Sequence, residues 1–318
     1  MQETLFLSPI VRLNSVVSNG EIVAFNVGSD GTVYVVLTLK PLDYRTEQPG
    51  WASFAKTIPD TSQSYRVIAF QEDQLTLDIK FIEEKFNIHT IQPLPANEIL
   101  LVCARSHYKN PTDFEKNGRI YSLSGEFRRE ILLGDGIQSV QATSDGVIWT
   151  SFFDEGVFGN FGWDEPVGSS GLVAWDSEGN KIYDFQPTDG LDSICDCYAL
   201  NVESNEGVWL YYYTEFPLVH LHYQKIQAVW NMPISGSDSF AVSGNRALFR
   251  GGYDDRNTYH MFALNKNGKV KLLKQLHLID EAGQKIVASY VVGRGDSLYI
   301  LSNELIYRVN LSTIEEKL

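Results

Sequence analysis

A tight turn followed by a run of apolar residues recurs six times along this chain. The turns fall at Asp30-Gly31, Asn97-Glu98, Asp145-Gly146, Glu206-Gly207, Gly244-Asn245 and Gly295-Asp296, and each leads into a short β-branched or aromatic run. A second apolar run precedes each turn, as at 22–27, 199–202 and 286–292. Short apolar runs joined by Asp-Gly or Gly-Asn turns are the hairpin signal. The landmarks fall about fifty residues apart, the repeat length of a propeller blade. The clearest unit is 137–185. It reads as strands at 137–143, 147–153, 171–175 and 181–185, with an irregular loop at 154–170. Later hairpins at 118–132, 218–230 and 259–276 extend the same pattern.

Six landmarks predict six four-stranded blades, an all-β fold, and a single β-propeller domain over 1–318. The last blade supplies three strands, 286–292, 298–301 and 305–311, while residues 3–7 form a strand with nothing before it. The economical expectation is that this N-terminal strand completes the sixth blade and closes the ring, protecting edges that would otherwise be open to pairing.

Composition narrows the partners. The formal net charge is -14 over 318 residues, which argues against nucleic acid or an anionic membrane surface, since both reward clustered Lys and Arg. No stretch of about 18 apolar residues exists to span a bilayer. The N-terminus carries Glu3 and no uninterrupted apolar core, unlike a signal peptide. With three cysteines, Cys103, Cys195 and Cys197, the expectation is a reducing cytoplasm. A monomer is expected.

In an antiparallel four-stranded blade, the second turn lies at the opposite end from the first and third. Here the first and third turns are short, whereas the second turns are long at 41–64, 105–117, 154–170 and 251–258. Long loops on one end of a rigid scaffold are where function concentrates. Residues just past each second strand should ring the mouth on that side. They are Lys40, Arg105, His107, Asp154, Glu155, Glu215, Asp254, Asp255 and Arg256, a mostly titratable set of the kind that marks sites.

The loop FDEGVFGNFGW, 153–163, is too apolar and too regularly punctuated by Gly156, Gly159 and Gly162 for a plain solvated loop. Phe158, Phe161 and Trp163 could fold over the mouth with Asp154 and Glu155 beneath and Asn160 beside them, or the loop could pack on its own aromatics. This run, followed by GLVAWDSEGN at 171–180, resembles a stretch found in an uncharacterised family of bacterial six-bladed β-propellers. The resemblance covers the third blade, implies the propeller fold, and carries no activity with it.

No GxSxG elbow, P-loop or dinucleotide fingerprint appears. His220 and His222 alternate on one strand, as do Cys195 and Cys197, so a zinc site would need the fold to bring the pairs together. Oxygen donors at Asp154, Glu155 and Asp255 would suit Ca²⁺. The reading is a binding module, for protein or small ligand, on the long-loop end. Its binding residues would be Arg105, His107, Asp154, Glu155, Phe158, Asn160, Trp163, Glu215, Asp254, Asp255 and Arg256. The alternative is a hydrolase or lyase, with Ca²⁺ as its candidate cofactor and Glu155, His107 and Glu215 as catalytic candidates.

Overall fold

Each turn-and-run repeat is realised as an antiparallel sheet. The computed structural model of the chain describes residues 2–13, 16–17, 20–40, 43–45, 56–188 and 190–316. Its blades are six antiparallel four-stranded sheets, one of them extended by a fifth strand, the six-bladed β-propeller class. In chain order the second strands are Val33–Thr38, Glu98–Val102, Ile148–Phe152, Gly207–Tyr213, Arg246–Arg250 and Ser297–Ser302. Five of these have at most one residue that is not buried. A strand covered on both faces reads as a continuous apolar run, which is why the second strands dominate the sequence pattern. Outer strands such as Lys225–Asn231 alternate instead, with one face exposed.

The chain divides into two compact units of three blades. One is 17–28 with 32–185; the other is 1–16, 29–31 and 186–318. In the first unit, apolar clusters join blades one and two through Val36, Tyr65, Phe81, Ile91 and Leu101, and blades two and three through Leu100, Leu133, Val140 and Phe152. In the second, Trp209, Tyr211, Phe240 and Phe249 join blades four and five, and Leu248, Tyr259, Leu298 and Tyr307 join five and six.

Buried amides stitch the innermost strands inside each unit. Asn26 Nδ2 donates to Val140 O at 3.1 Å; Gln92 Nε2 donates to Val27 O at 3.2 Å and its Oε1 accepts from Ala142 N at 2.9 Å. Asn201 does the same for blades four to six. Its Nδ2 donates to Phe240 O and Gly295 O, and its Oδ1 accepts from Gly295 N at 2.7 Å. A backbone group buried without a partner is costly, and these side chains supply the partners where adjacent inner strands do not pair.

The N-terminal segment does complete the last blade, but not through residues 3–7. Gln2–Phe6 pairs in parallel with Val270–Ile279 and becomes a fifth strand of blade five. The strand that completes blade six is Val11–Arg12, antiparallel to Leu305–Asn310. Burial explains the choice: Val11 and Leu13 are wholly buried, whereas Gln2–Phe6 alternates exposed and half-buried positions. Two further elements differ from expectation. The first strand of blade six is Tyr290–Arg294, starting later than 286, and the second turn of blade two carries its own hairpin, Tyr108–Asn110 with Asp113–Phe114. Part of the 41–64 loop, and residues 317–318 of the tail, lie outside the described residues.

Candidate functional site

The long second turns are where expected, and the one in blade three is the most elaborated. It opens with a single helical turn, Asp154–Phe158, where an irregular loop was expected. Asp154 and Glu155 put two acids in its first turn, which suits a helix start, and the Asp154 carboxylate accepts from the Glu155 amide at 2.8 Å. The helix sits backbone to backbone on the entry to blade three. A Cβ on Gly156 would lie 2.5 Å from Asp135 O and 2.7 Å from Gly136 O, so only glycine allows the approach.

Beneath the helix lies Arg105. Its Nε and Nη2 each donate to Asp135 at 2.9 Å, while Nη1 donates to Glu155. Phe161 covers the guanidinium, with its ring centre 4.0 Å from Cζ. Asp135 is 2% exposed and also accepts from Ser106 N at 2.8 Å. Burial pushes its carboxyl up, against the pull of Arg105 and of the Ser106 and Gly136 amides. Burial raises the Glu155 carboxyl too, but hydrogen bonds from Arg105 and Asn160 outweigh it and hold that group below the usual range.

The aromatic residues of the loop have separate fates. Trp163 is buried, its Nε1 donating to Ser106 O at 2.7 Å and its ring 4.7 Å from that of Tyr108. Phe161 meets His107 edge-on at 4.2 Å. His107 Nδ1 lies 2.9 Å from Glu115 Oε2, which also accepts from the His107 amide. Burial would raise Glu115, but these His107 contacts and Thr57 keep it lowered. Phe158 alone is left to solvent, at 67% exposure. The loop is therefore packed on its own aromatics, and Asp154 and Phe158 are what it presents.

Lys40, in the same unit, donates through its Nζ to Ser62 O at 3.4 Å; the remaining candidates lie in the other unit. Glu215 is exposed on a short turn between Gly207–Tyr213 and Pro217–His222. The Asp255 carboxylate accepts from Thr258 Oγ1 at 2.5 Å and from Asn257 N at 2.8 Å, which lowers its pKa. Arg256 and Arg250 both donate to Asp238. Tyr253 and Asp254 line a cavity of about 630 Å³, with Ile234, Ser235, His260 and Gln275. Burial lowers the His260 pKa and leaves its Nδ1 without a hydrogen-bond partner.

Among the described residues no three His, Cys, Asp or Glu side chains are grouped to hold a metal ion. Asp154 and Asp255 serve the backbone of their own loops and Glu155 is matched to Arg105. The alternating pairs carry other contacts: Cys197 is buried, and His220 stacks on Trp209 with ring centres 4.0 Å apart. Sequence reasoning missed Asp135, Glu115 and Tyr108. The signal that points to Asp135 is its Asp-Gly step, Asp135-Gly136, just ahead of Ile137–Ala142.

Solved structures similar to this chain confirm its class. One is a chain of the crystal structure of the mitotic checkpoint complex, at 9% identity and TM-score 0.50, covering 90% of this chain and 86% of that one. Another is Kluyveromyces lactis Hsv2 with complete loop 6CD, at 11% identity and TM-score 0.50, covering 92% and 74%. Both are WD40-type propellers, and at such identities the likeness extends to the fold. Within that class, residues 172–309 match the model of the YxzG family. The match runs from the third strand of blade three into the third strand of blade six and leaves out the 153–163 loop. No curated protein matches the chain. No helix among the described residues is long and apolar enough to cross a membrane.

Proposed function

We propose that this chain is a binding module, a protein-interaction scaffold or a small-ligand recogniser, working from the end of the blades that carries the long second turns. The observation that carries the reading is the build of the 153–163 loop. Arg105, Trp163 and the Gly136–Gly156 contact hold the loop in one shape, and that shape keeps a large apolar side chain, Phe158, in water. A preorganised loop loses little entropy on binding, and a supported exposed aromatic is a typical anchor. The cavity beside Tyr253 and Asp254 offers a second, concave position of the size small ligands use.

The alternative, a hydrolase or lyase, draws its support from His107, whose Nδ1 is held by the Glu115 carboxylate as an imidazole base would be. Glu155 fits that reading less well, because its charge is committed to Arg105.

Native mass spectrometry of protein purified gently from its own host, compared with the denatured mass, separates the readings. A co-purifying polypeptide that Phe158→Ala loses and His107→Asn keeps supports the scaffold. A small-molecule excess that Tyr253→Ala removes supports ligand recognition. An activity abolished by His107→Asn in a folded protein overturns both in favour of the enzyme.

A further inference from the structure

The outer strands of the blades are unequal. Those of blades two, three and four have 5, 4 and 7 residues, and the strand completing blade six has 2. Two are long: Val270–Ile279 in blade five, with 10, and Gln74–Glu84 in blade one, with 11. The chain covers the first of these itself, laying Gln2–Phe6 along it in parallel. The second is the last strand of its sheet, and no strand is paired on its outer side among the described residues. A long open edge is a template for another chain unless charge, proline or a bulge blunts it.

This edge is not blunted in its middle. Bulges interrupt its pairing at Thr76 and at 82–83; between them, from Leu77 to Phe81, it is regular, contains no proline and carries one acid and one base, and beside the bulges it leaves Leu75 45% and Ile82 76% exposed. The strand is also complementary to itself. If it pairs antiparallel with a copy centred on Ile79, Asp78 falls opposite Lys80 twice and Leu77 opposite Phe81 twice. Residues directly opposite in an antiparallel pair share a face, so within the regular stretch the two Asp78–Lys80 pairs form together on the exposed face and the Leu77–Phe81 pairs on the other. Phe81 and Ile79 already point into the core between blades one and two, and that face continues into the copy.

We propose that Gln74–Glu84 is an interface with a second copy of this chain, joining two first blades edge to edge into one eight-stranded antiparallel sheet. The occupant is a second copy because one register both sets each Asp78 against a Lys80 and sets Leu77 against Phe81. The expectation of a monomer, drawn from composition, takes no account of this edge.

Sedimentation velocity across a wide concentration range, at physiological salt where the Debye length is about 8 Å and the net charge is screened, tests the proposal. The wild type is expected to dimerise. Lys80→Glu removes neither member of the Arg66–Asp78 ion pair and should abolish dimerisation by setting the new carboxylate against Asp78 of the other copy. Asp78→Lys should abolish it by setting the new ammonium group against Lys80. An equimolar mixture of the two variants should dimerise again, because both cross-strand pairs then have opposite charges. Should Asp78→Lys fail to fold by circular dichroism, the Lys80→Glu result alone decides. A wild type that stays monomeric throughout overturns the proposal. So does a dimer indifferent to Lys80→Glu, or a mixture of folded variants that stays monomeric.

Discussion

Arg105 and Asp135 meet through two parallel hydrogen bonds of 2.9 Å, Nε to Oδ1 and Nη2 to Oδ2, with the carboxylate almost wholly buried. The forked geometry is one that lysine cannot reproduce. Removing one partner of a buried pair leaves the other charge without compensation, at about 3–5 kcal/mol. Arg105→Ala is therefore expected to lower the stability of the unit holding the first three blades by that order, and Arg105→Lys to recover only part of it. Urea denaturation followed by tryptophan fluorescence measures both. An Arg105→Ala loss below about 1 kcal/mol would show that the pair is not structural.

Gly156→Ala should disturb the same loop from above. The added methyl would press on Asp135 O and Gly136 O, and overpacking of this kind costs about 1–3 kcal/mol. The helix must lift, which separates Glu155 from Arg105. Limited proteolysis should then cut within 153–163 at concentrations that leave the wild type intact. Equal resistance would mean the backbone contact can relax.

Phe158→Ser serves as the counterpart. At 67% exposure Phe158 contributes little to the core, and a surface change of this sort stays within about 0.5 kcal/mol. Stability should be unchanged while any partner engaged by this loop is lost. A substantial drop in stability would show that Phe158 belongs to the fold rather than to a binding surface.

Asn201→Ala removes two donations and one acceptance that link blade four to blades five and six. Gly295 O keeps the Val242 amide at 2.9 Å, while Gly295 N and Phe240 O lose this partner; a buried group left unsatisfied costs about 1–3 kcal/mol, so a loss of about 2 kcal/mol is expected. Hydrogen exchange should locate the weakening at the Gly295 turn. Exchange there at the wild-type rate would mean that water replaces the amide without penalty.

His89 sets a pH dependence. Burial drops its pKa from 6.5 to about 4, and Arg105 pushes the same way. The unfolded chain takes up this proton first as pH falls. The stabilising effect is therefore complete above about pH 6.5 and is lost as pH falls toward 4, to the extent of about 3 kcal/mol. His220 and His260, also lowered by burial, act in the same direction. In a His89→Phe variant, which preserves a ring against Tyr44, stability should slope less steeply over that window. An unchanged slope would remove His89 as its source.

The blades were legible because covered strands must be apolar along their whole length and the turns between them need Gly, Asn or Asp. The four predicted strands of blade three, from 137–143 to 181–185, match the observed ones to within a residue or two at each end. The site was less legible. Phe158, Phe161 and Trp163 look alike in sequence, yet one is in water, one caps a guanidinium and one is buried. What sorts them is the Gly136–Gly156 approach and the Ser106 carbonyl, contributed by segments 20 to 57 residues away. The N-terminal strand was misplaced for a similar reason. Its partner is chosen by which of two outer strands it can reach, and local pattern does not encode that.

The pairing of Gln2–Phe6 with Val270–Ile279, and of Val11–Arg12 with Leu305–Asn310, has a consequence for the birth of the molecule. These residues leave the ribosome long before their partners exist. At roughly 5–20 residues per second, they wait on the order of 15–60 seconds. Blades one to three, drawn from 17–28 and 32–185, can gather their own contacts during that interval. Gln2–Phe6 and Val11–Arg12 cannot, and until Val270–Ile279 and Leu305–Asn310 emerge they are unpaired strands that a chaperone could shield.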